Sequence, residues 1–174
     1  VMAVRGCCTA ALAHGAPFVS GKDSLNNEYL GSDGQRHAVP PTLVITALAH
    51  VPDVEMAITP DLKLSGNSLV LVGRTAPEFG GSHLAMVGAD VGTAVVPAPD
   101  PDAPARYRRL HAVMREGLVR ACHDVSEGGL AVTLAEMAIA GGFGATIDLP
   151  PHPNVATAWF SESAGRFVVE VHPD

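Results

Sequence analysis

Apolar and polar residues follow one another along the chain at spacings that predict both helices and strands. Small and apolar side chains recur every three or four residues over 1–14, and Gly15 and Pro17 stop the pattern, which predicts a helix there. A short strand is expected at Phe18, directly after this helix. An apolar, β-branched run predicts a buried strand over 42–51. The first part of the chain is therefore expected to combine one helix with extended strands.

The second part of the chain alternates strand and helix signals. Helices are expected to begin near His83, at Pro104 and after Ser126, which is placed to cap the last of them. A proline-rich loop that contains Trp159 is expected between the last two of four predicted strands. Those strands cover residues 69–72, 119–122, 145–149 and 166–171. Because helices alternate with strands, an α/β fold is predicted for this part of the chain.

Polar residues from Pro60 to Gly66 interrupt the apolar pattern in the manner of a linker. We therefore expect a domain boundary near Asp61, which separates residues 1–60 from an α/β domain over residues 61–174. The chain opens at Val1 inside a helical pattern and without an initiator methionine. We expect it to be part of a longer protein.

Composition and charge argue against two kinds of partner. Hydrophobic residues make up 47% of the chain and charged residues 17%, which is typical of a folded globular protein. With a formal net charge of -7 and only 5% aromatic residues, neither a basic face nor a base-stacking platform for nucleic acid is expected. No apolar run approaches the roughly 20 residues needed to span a bilayer. A cytoplasmic protein without a membrane segment is predicted.

Chemically reactive polar residues are concentrated in two clusters. The first, V-S-G-K-D-S-L-N-N-E, extends from Val19 to Glu28, and the second, C-H-D-V-S-E-G-G-L, extends from Cys122 to Leu130. The first cluster does not match the spacing of a P-loop, because Ala16 stands where the first glycine is required and Asp23 follows the lysine. Two such clusters in one chain suggest a single shared site for phosphate and metal.

The side chains of the first cluster suit a magnesium–phosphate site. Lys22 is suited to neutralise a phosphate, and Asp23 is suited to bind magnesium. Ser24 or Asn27 is suited to hydrogen-bond a ligand oxygen. The alternative is a polar hairpin turn without a ligand. The density of polar side chains directly after a predicted strand favours the ligand site.

In the second cluster, Asp124 and Ser126 lie at the expected start of a helix. A carboxylate there can hold magnesium while the free N–H groups of the helix meet phosphate oxygens. The alternative is that both residues only cap the helix. Gly128 and Gly129 each cost roughly 1 kcal/mol relative to alanine in a first helical turn. We therefore expect that some group approaches this backbone closely.

Two further segments are weaker candidates for a functional role. Gly80-Gly81-Ser82 is suited to bind an anion, although turn geometry explains these residues more simply. Glu162, flanked by Ser161 and Ser163, is either functional or begins a strand.

Five motifs resemble, in their order, the second half of phosphoribosylformylglycinamidine synthases, and together they cover nearly the whole chain. They are G-K-D-S-L-N-N-E at Gly21, P-P-T-L at Pro40, G-G-S at Gly80, H-D-V-S-E-G-G-L-A-V-T-L-A-E-M-A at His123 and F-S-E-S-A-G-R-F at Phe160. That family makes formylglycinamidine ribonucleotide from formylglycinamide ribonucleotide, ATP and ammonia in purine biosynthesis. The resemblance implies an ATP-dependent carbon–nitrogen ligase.

The resemblance also implies a fold and a set of site residues. The fold class is α/β (α+β), with the end of an aminoimidazole ribonucleotide synthetase-like N-terminal domain, made of antiparallel strands and a helix, before a C-terminal α/β domain of the same type. Nucleotide-binding roles fall on Gly21, Lys22 and Ser126, a substrate-binding role on Ser24, and magnesium-binding roles on Asp23 and Asp124. Related small synthetases often have asparagine where Lys22 stands, and for that reason the metal role is given to Asp23.

The implied cofactors are ATP or ADP and Mg²⁺. The implied partners are formylglycinamide ribonucleotide and a glutaminase subunit or domain, with a small accessory subunit left open. The histidine thought to act in catalysis belongs to the family's first synthetase unit, so no catalytic residue is assigned here and this chain alone is expected to be inactive. Two alternatives remain: a sibling ATP-dependent synthetase or kinase of the same superfamily, and a non-catalytic half that holds a structural ADP.

Overall fold

The protein divides into two compact units between Val51 and Pro52 in the computed structural model. Leu25 and Asn26, which belong to the first polar cluster, lie outside the described residues. The domains expected over residues 1–60 and 61–174 stay a prediction. The structure describes residues 1–24, 27–92 and 94–173.

The first unit contains one helix and one short hairpin. Helix α1 covers Met2–His14 and ends because Gly15 takes a left-handed conformation, with φ 63°. Strands β1, Glu28–Leu30, and β2, Arg36–Ala38, pair antiparallel. An ion pair between the Glu28 and Arg36 side chains links the two strands. The predicted helix is therefore confirmed, and the hairpin lies at the end of the first polar cluster.

Two strands predicted in the first unit are wrong. The residues around Phe18 and the run Thr42–Val51 form no strand, and Leu48 in that run is 90% exposed. Apolar, β-branched residues favour an extended chain, but a strand also needs a neighbour that supplies hydrogen bonds. Within the described residues, these segments pair with no other strand of their unit.

The second unit is built on a three-stranded antiparallel sheet. Its strands are β3, Ser68–Val72, β4, Val119–Asp124, and β5, Phe167–Val171. Their order is β3–β5–β4, so the last strand of the chain lies in the centre. Three of the four strands predicted for this part are confirmed. The fourth, over residues 145–149, is wrong: Ile147 and Leu149 pack against the core through their side chains without joining the sheet.

Helices cover both faces of this sheet. Successive residues of the central strand point to opposite faces, so Val168 packs against α4, Gly129–Gly141, while Val169 packs against α3, Ala103–Arg115. The larger core cluster consists of Leu62, Ala121, Val125, Leu130, Leu134, Met137 and Val168. The connection between β4 and α4 therefore lies at one end of the layer in which α4 packs on the sheet.

Shorter helical segments complete the second unit. A 3₁₀ turn covers Val54–Met56. Helix α2 covers His83–Met86, where the sequence predicts a short helix. The loop expected around Trp159 is instead a helix, α5, Val155–Phe160, whose first turn is capped by the side chain of Asn154. Among the described residues, no helix combines the length and the apolar character needed to cross a membrane.

Candidate functional site at the β4–α4 turn

The turn between β4 and α4 presents Asp124 and Ser126 to solvent. Asp124 ends β4 and its side chain is 65% exposed, and Ser126 is also exposed. Val125 between them is buried, and its backbone N–H donates to the Arg166 carbonyl oxygen over 2.9 Å. Because neighbouring side chains of an extended segment point in opposite directions, burying Val125 directs the two polar side chains outward.

The prediction that Ser126 caps α4 is wrong. The N-cap of α4 is Gly128, which has φ 76°, and α4 has no side-chain cap hydrogen bond. Ser126 contributes its carbonyl oxygen, which accepts from the Gly129 N–H over 3.1 Å. Helix capping therefore does not explain a hydroxyl at this position.

The two glycines of the turn are explained by the protein's own backbone. Gly128 and Gly129 both have positive φ, 76° and 67°, which side-chain-bearing residues rarely adopt. A Cβ atom on Gly129 would also lie 2.7 Å from the Ser161 carbonyl oxygen and 2.8 Å from the Phe160 Cα. A group does approach this backbone closely, as predicted, and that group is the Phe160–Ser161 segment.

His123 connects Asp124 to α4. Its ring Nδ1 lies 3.2 Å from Asp124 Oδ1, and its Nε2 lies 3.1 Å from Glu136 Oε2. The Thr133 hydroxyl of α4 lies 3.0 Å from the Gly129 carbonyl oxygen and 3.3 Å from the Asp124 carbonyl oxygen, so the two acceptors share its one proton. Sequence reasoning gave no role to His123, Thr133 or Glu136, although the His-Asp pair at the end of a predicted strand is a usable signal. These contacts connect Asp124 to α4 through its backbone and its side chain, which still faces solvent.

Cys122 stands beside this group as an inert side chain. Burial, and to a smaller extent the negative charge of Asp124, raises the pKa of its thiol to about 11. A thiol with this pKa is protonated near neutral pH and is a poor nucleophile. The chemistry of the turn therefore depends on oxygen donors and on backbone N–H groups.

Glu162 is the carboxylate that approaches the turn from the far side. Its Oε1 accepts hydrogen bonds from the Gly128 N–H and from the His83 N–H, each over 2.8 Å. Glu162 does not begin a strand, since β5 starts at Phe167.

In the Gly80-Gly81-Ser82 segment, Ser82 caps α2 by accepting from the Ala85 N–H. The Gly80-Gly81-Ser82 segment was a candidate to bind an anion. The anion that lies at the start of α2 is the Glu162 carboxylate, which accepts from the His83 N–H.

The first polar cluster lies in the other unit. Gly21, Lys22, Asp23 and Ser24 are exposed and belong to no helix or strand. The Lys22 ammonium contacts the Ser24 hydroxyl and donates to the Asp23 carbonyl oxygen over 3.3 Å. The structure thus brings Lys22, Asp23 and Ser24 together in one unit, and Asp124 and Ser126 together in the other. A single site shared by the two clusters stays a prediction.

The oxygen donors at Asp23 and Asp124 fit magnesium held mainly by a nucleotide. Within the described stretches of chain, no group of three or more His, Cys, Asp or Glu side chains is arranged to hold a metal ion. Magnesium usually keeps several waters and binds through one or two carboxylates together with substrate phosphates. Exposed single carboxylates suit that mode and do not suit a closed metal cage.

A cavity of about 830 Å³ lies elsewhere in the second unit. It is lined by apolar side chains of β3, α4 and the 143–150 segment, and by Glu170 and Asn67. Glu170 and Asn67 are hydrogen-bonded to each other, over 2.6 Å between Asn67 Nδ2 and Glu170 Oε1. None of the residues assigned to nucleotide, substrate or metal lines this cavity.

Comparisons with known proteins match the chain in both sequence and fold. The family described as AIR synthase related protein, C-terminal domain, matches residues 65–174. The phosphoribosylformylglycinamidine synthase subunit PurL of Chelativorans sp. (strain BNC1) is 39% identical over 175 residues, which cover 97% of this chain and 22% of that protein. The chain therefore spans less than a quarter of the length of this curated relative.

Two solved structures of T. maritima PurL share the fold. The one complexed with FGAR matches with a TM-score of 0.56 and 22% identity, over 69% of this chain and 22% of that chain. The one complexed with AMPPCP matches with a TM-score of 0.50 and 22% identity, over 69% and 19%. The predicted α/β fold and the resemblance to phosphoribosylformylglycinamidine synthases are confirmed, and the chain belongs to the AIR synthase-related family, whose C-terminal domain matches residues 65–174.

Proposed function

We propose that this chain is part of a phosphoribosylformylglycinamidine synthase, which uses ATP to amidate formylglycinamide ribonucleotide in purine biosynthesis. The observation that carries the proposal is the β4–α4 turn. It presents a carboxylate, Asp124, and a hydroxyl, Ser126, to solvent beside the start of a helix. The 39% identity to a curated synthase subunit over 97% of this chain supports the same function.

The proposed roles follow the chemistry of each side chain. Asp23 and Asp124 each bind magnesium that accompanies a nucleotide, and magnesium offsets the negative charge of the phosphates. Lys22 supplies a compact positive charge for a phosphate, while Gly21 and Ser126 contact the nucleotide. Ser24 contacts the ribonucleotide substrate.

In the proposed reaction the terminal phosphoryl group of ATP is transferred to the amide oxygen of formylglycinamide ribonucleotide. Ammonia then attacks the activated carbon and displaces phosphate, which leaves the amidine. We further propose that the ammonia comes from a glutaminase subunit or domain in the cytoplasm. The name of the Chelativorans relative, a synthase subunit, supports a multi-subunit assembly.

Substrate-dependent ADP release by the full-length protein tests this function. With magnesium, ATP and an ammonia source, we expect ADP to form when formylglycinamide ribonucleotide is added. We expect no ADP with formylglycinamidine ribonucleotide, selenide or thiamine monophosphate, the substrates of sibling enzymes. ADP release with one of those three, and none with formylglycinamide ribonucleotide, would contradict the proposal. Residues 1–174 alone are proposed to be inactive in the same assay.

The state of the bound nucleotide separates a catalytic site from a structural one. A catalytic nucleotide equilibrates with added labelled ATP, whereas a structural ADP survives dialysis and gel filtration. We propose that the nucleotide at Asp124 exchanges. Retention of unlabelled ADP after dialysis against labelled ATP would instead favour a structural nucleotide.

A further inference from the structure

One oxygen of the Glu162 carboxylate connects two turns that are far apart in the sequence. Oε1 accepts from the N–H of Gly128, the residue before α4, and from the N–H of His83, the first residue of α2, each over 2.8 Å. The Glu162 side chain is only 15% exposed. Hydrogen bonds to a carboxylate are stronger than those between neutral groups, and partial burial protects them from competition by water.

The Glu162 backbone is itself fixed by neighbouring segments. Its N–H donates to the Glu78 carbonyl oxygen over 3.2 Å. The hydroxyl of the next residue, Ser163, accepts from the Ala76 N–H over 3.0 Å, and the Ser163 carbonyl oxygen accepts from Arg166 Nε over 3.1 Å. The backbone that carries the Glu162 carboxylate is thus held in place by hydrogen bonds to neighbouring segments.

The same support holds the β4–α4 turn at both of its ends. At the start of the turn, the Val125 N–H donates to the Arg166 carbonyl oxygen over 2.9 Å. At its end, Gly128 donates to Glu162, and Gly129 lies against the Ser161 carbonyl oxygen. Only Ser126 and Glu127 lie between these two anchors. A shift of Gly128 therefore moves Ser126 and Glu127, whose side chains are exposed, while Asp124 stays in β4 beyond the Val125 anchor.

We infer that Glu162 is a positioning residue that sets the place of Ser126 for the nucleotide by holding Gly128, while the same oxygen also holds the start of α2 at His83. This inference rests on the function proposed above. Glu162 acts through backbone N–H groups and does not itself bind the ligand. A glutamine at this position keeps an acceptor oxygen without the charge, whereas an alanine removes the acceptor.

The test uses the full-length protein with Glu162→Ala, Glu162→Gln and the matched control Glu116→Ala, which removes an exposed carboxylate at the end of α3. Hydrogen–deuterium exchange of peptides that contain Gly128 and His83 reports how strongly the backbone amides of the two turns are protected in the absence of nucleotide. Titration with magnesium–ADP reports affinity, and thermal unfolding reports stability. Asp124→Asn reports whether the turn binds nucleotide at all.

We expect Glu162→Ala to speed exchange in both peptides and to weaken magnesium–ADP binding about tenfold or more. We expect Glu162→Gln to restore much of the affinity, and Glu116→Ala to match the wild type. Unchanged exchange in Glu162→Ala would overturn the inference. Unchanged affinity in Glu162→Ala, in a protein whose affinity Asp124→Asn lowers, would overturn it as well.

Failure of the proposed function has a different signature. In that case Asp124→Asn binds magnesium–ADP as the wild type does, or neither protein binds it. The peptides that contain Gly128 and His83 would still exchange faster in Glu162→Ala, because those hydrogen bonds do not depend on a ligand. That result would overturn the link between Glu162 and the nucleotide while its hold on the turn stands.

Discussion

Gly129 lies so close to Ser161 that a Cβ atom on the glycine would be 2.7 Å from the serine carbonyl oxygen. This contact joins the start of α4 to the end of α5. The atoms that an added Cβ would meet are backbone atoms of Phe160 and Ser161, which cannot rotate away as a side chain can. Gly129 also has φ 67°. The glycine pair in H-D-V-S-E-G-G is therefore required by the fold before any ligand is considered.

Gly129→Ala is expected to lower the free energy of unfolding by about 2 to 5 kcal/mol, because left-handed strain and a steric clash with backbone add together. Gly142→Ala is the matched control, since Gly142 has φ 70° but an added Cβ there would meet no atom within 4 Å. It should cost only the strain, about 1 to 2 kcal/mol. Urea unfolding of both variants measures the difference. Equal losses would show that the Ser161 contact is relaxed easily.

Glu170 is a second buried carboxylate with a structural role. It is 1% exposed and accepts from the N–H groups of Lys63 and Leu64 and from the Asn67 amide. Glu170→Ala leaves these donors without their acceptor, so we expect a loss of about 3 to 5 kcal/mol in the free energy of unfolding. Glu116→Ala, at an exposed position, should change it by less than about 0.5 kcal/mol. Similar effects in the two variants would contradict this role.

Asp61 makes stability depend on pH in acid. Hydrogen bonds from Lys63 and Thr59 lower the pKa of its carboxyl from 3.8 to about 2. A carboxyl whose pKa is lower in the folded state stabilises the protein above its unfolded pKa, and this contribution disappears as the pH falls from about 4 to about 2. The urea midpoints of the wild type and Asp61→Asn should therefore differ at pH 7 and converge between pH 4 and pH 2.

The Lys63→Gln background is the control for that pH dependence. Lys63 is the largest cause of the lowered pKa, so in this background the effect of Asp61→Asn on the urea midpoint should vary less with pH. The same convergence with and without Lys63 would mean that another group is responsible.

The sequence predicts those elements that carry several signals at once. The strand at 69–72 and the helix of Leu130, Leu134 and Met137 combine apolar spacing with flanking turn residues, and both are present. The segments 42–51 and 145–149 carry only the apolar pattern. Such a pattern indicates that side chains seek burial, but it does not reveal whether a neighbouring strand supplies hydrogen bonds.

The candidate site was predictable only in its local part. The positions of Asp124 and Ser126 at a strand-to-helix turn follow from the pattern of the H-D-V-S-E-G-G segment. The hydrogen bond that the Gly128 N–H donates to Glu162 joins residues 34 positions apart in the sequence. It depends on how α5 and β5 pack, which no local spacing encodes. Helix α5 was missed because six residues are too few to show a helical period.

Magnesium–ADP binding to the full-length protein is the most direct test of the claim that Asp124 and Asp23 belong to a nucleotide site. Calorimetry should show binding to the wild type, and at least tenfold weaker binding to folded Asp124→Asn and Asp23→Asn, a difference of about 1.4 kcal/mol or more. Asp102→Asn, at the exposed start of α3, should bind as the wild type does. No binding to the folded wild type, or unchanged binding to Asp124→Asn, would contradict the account.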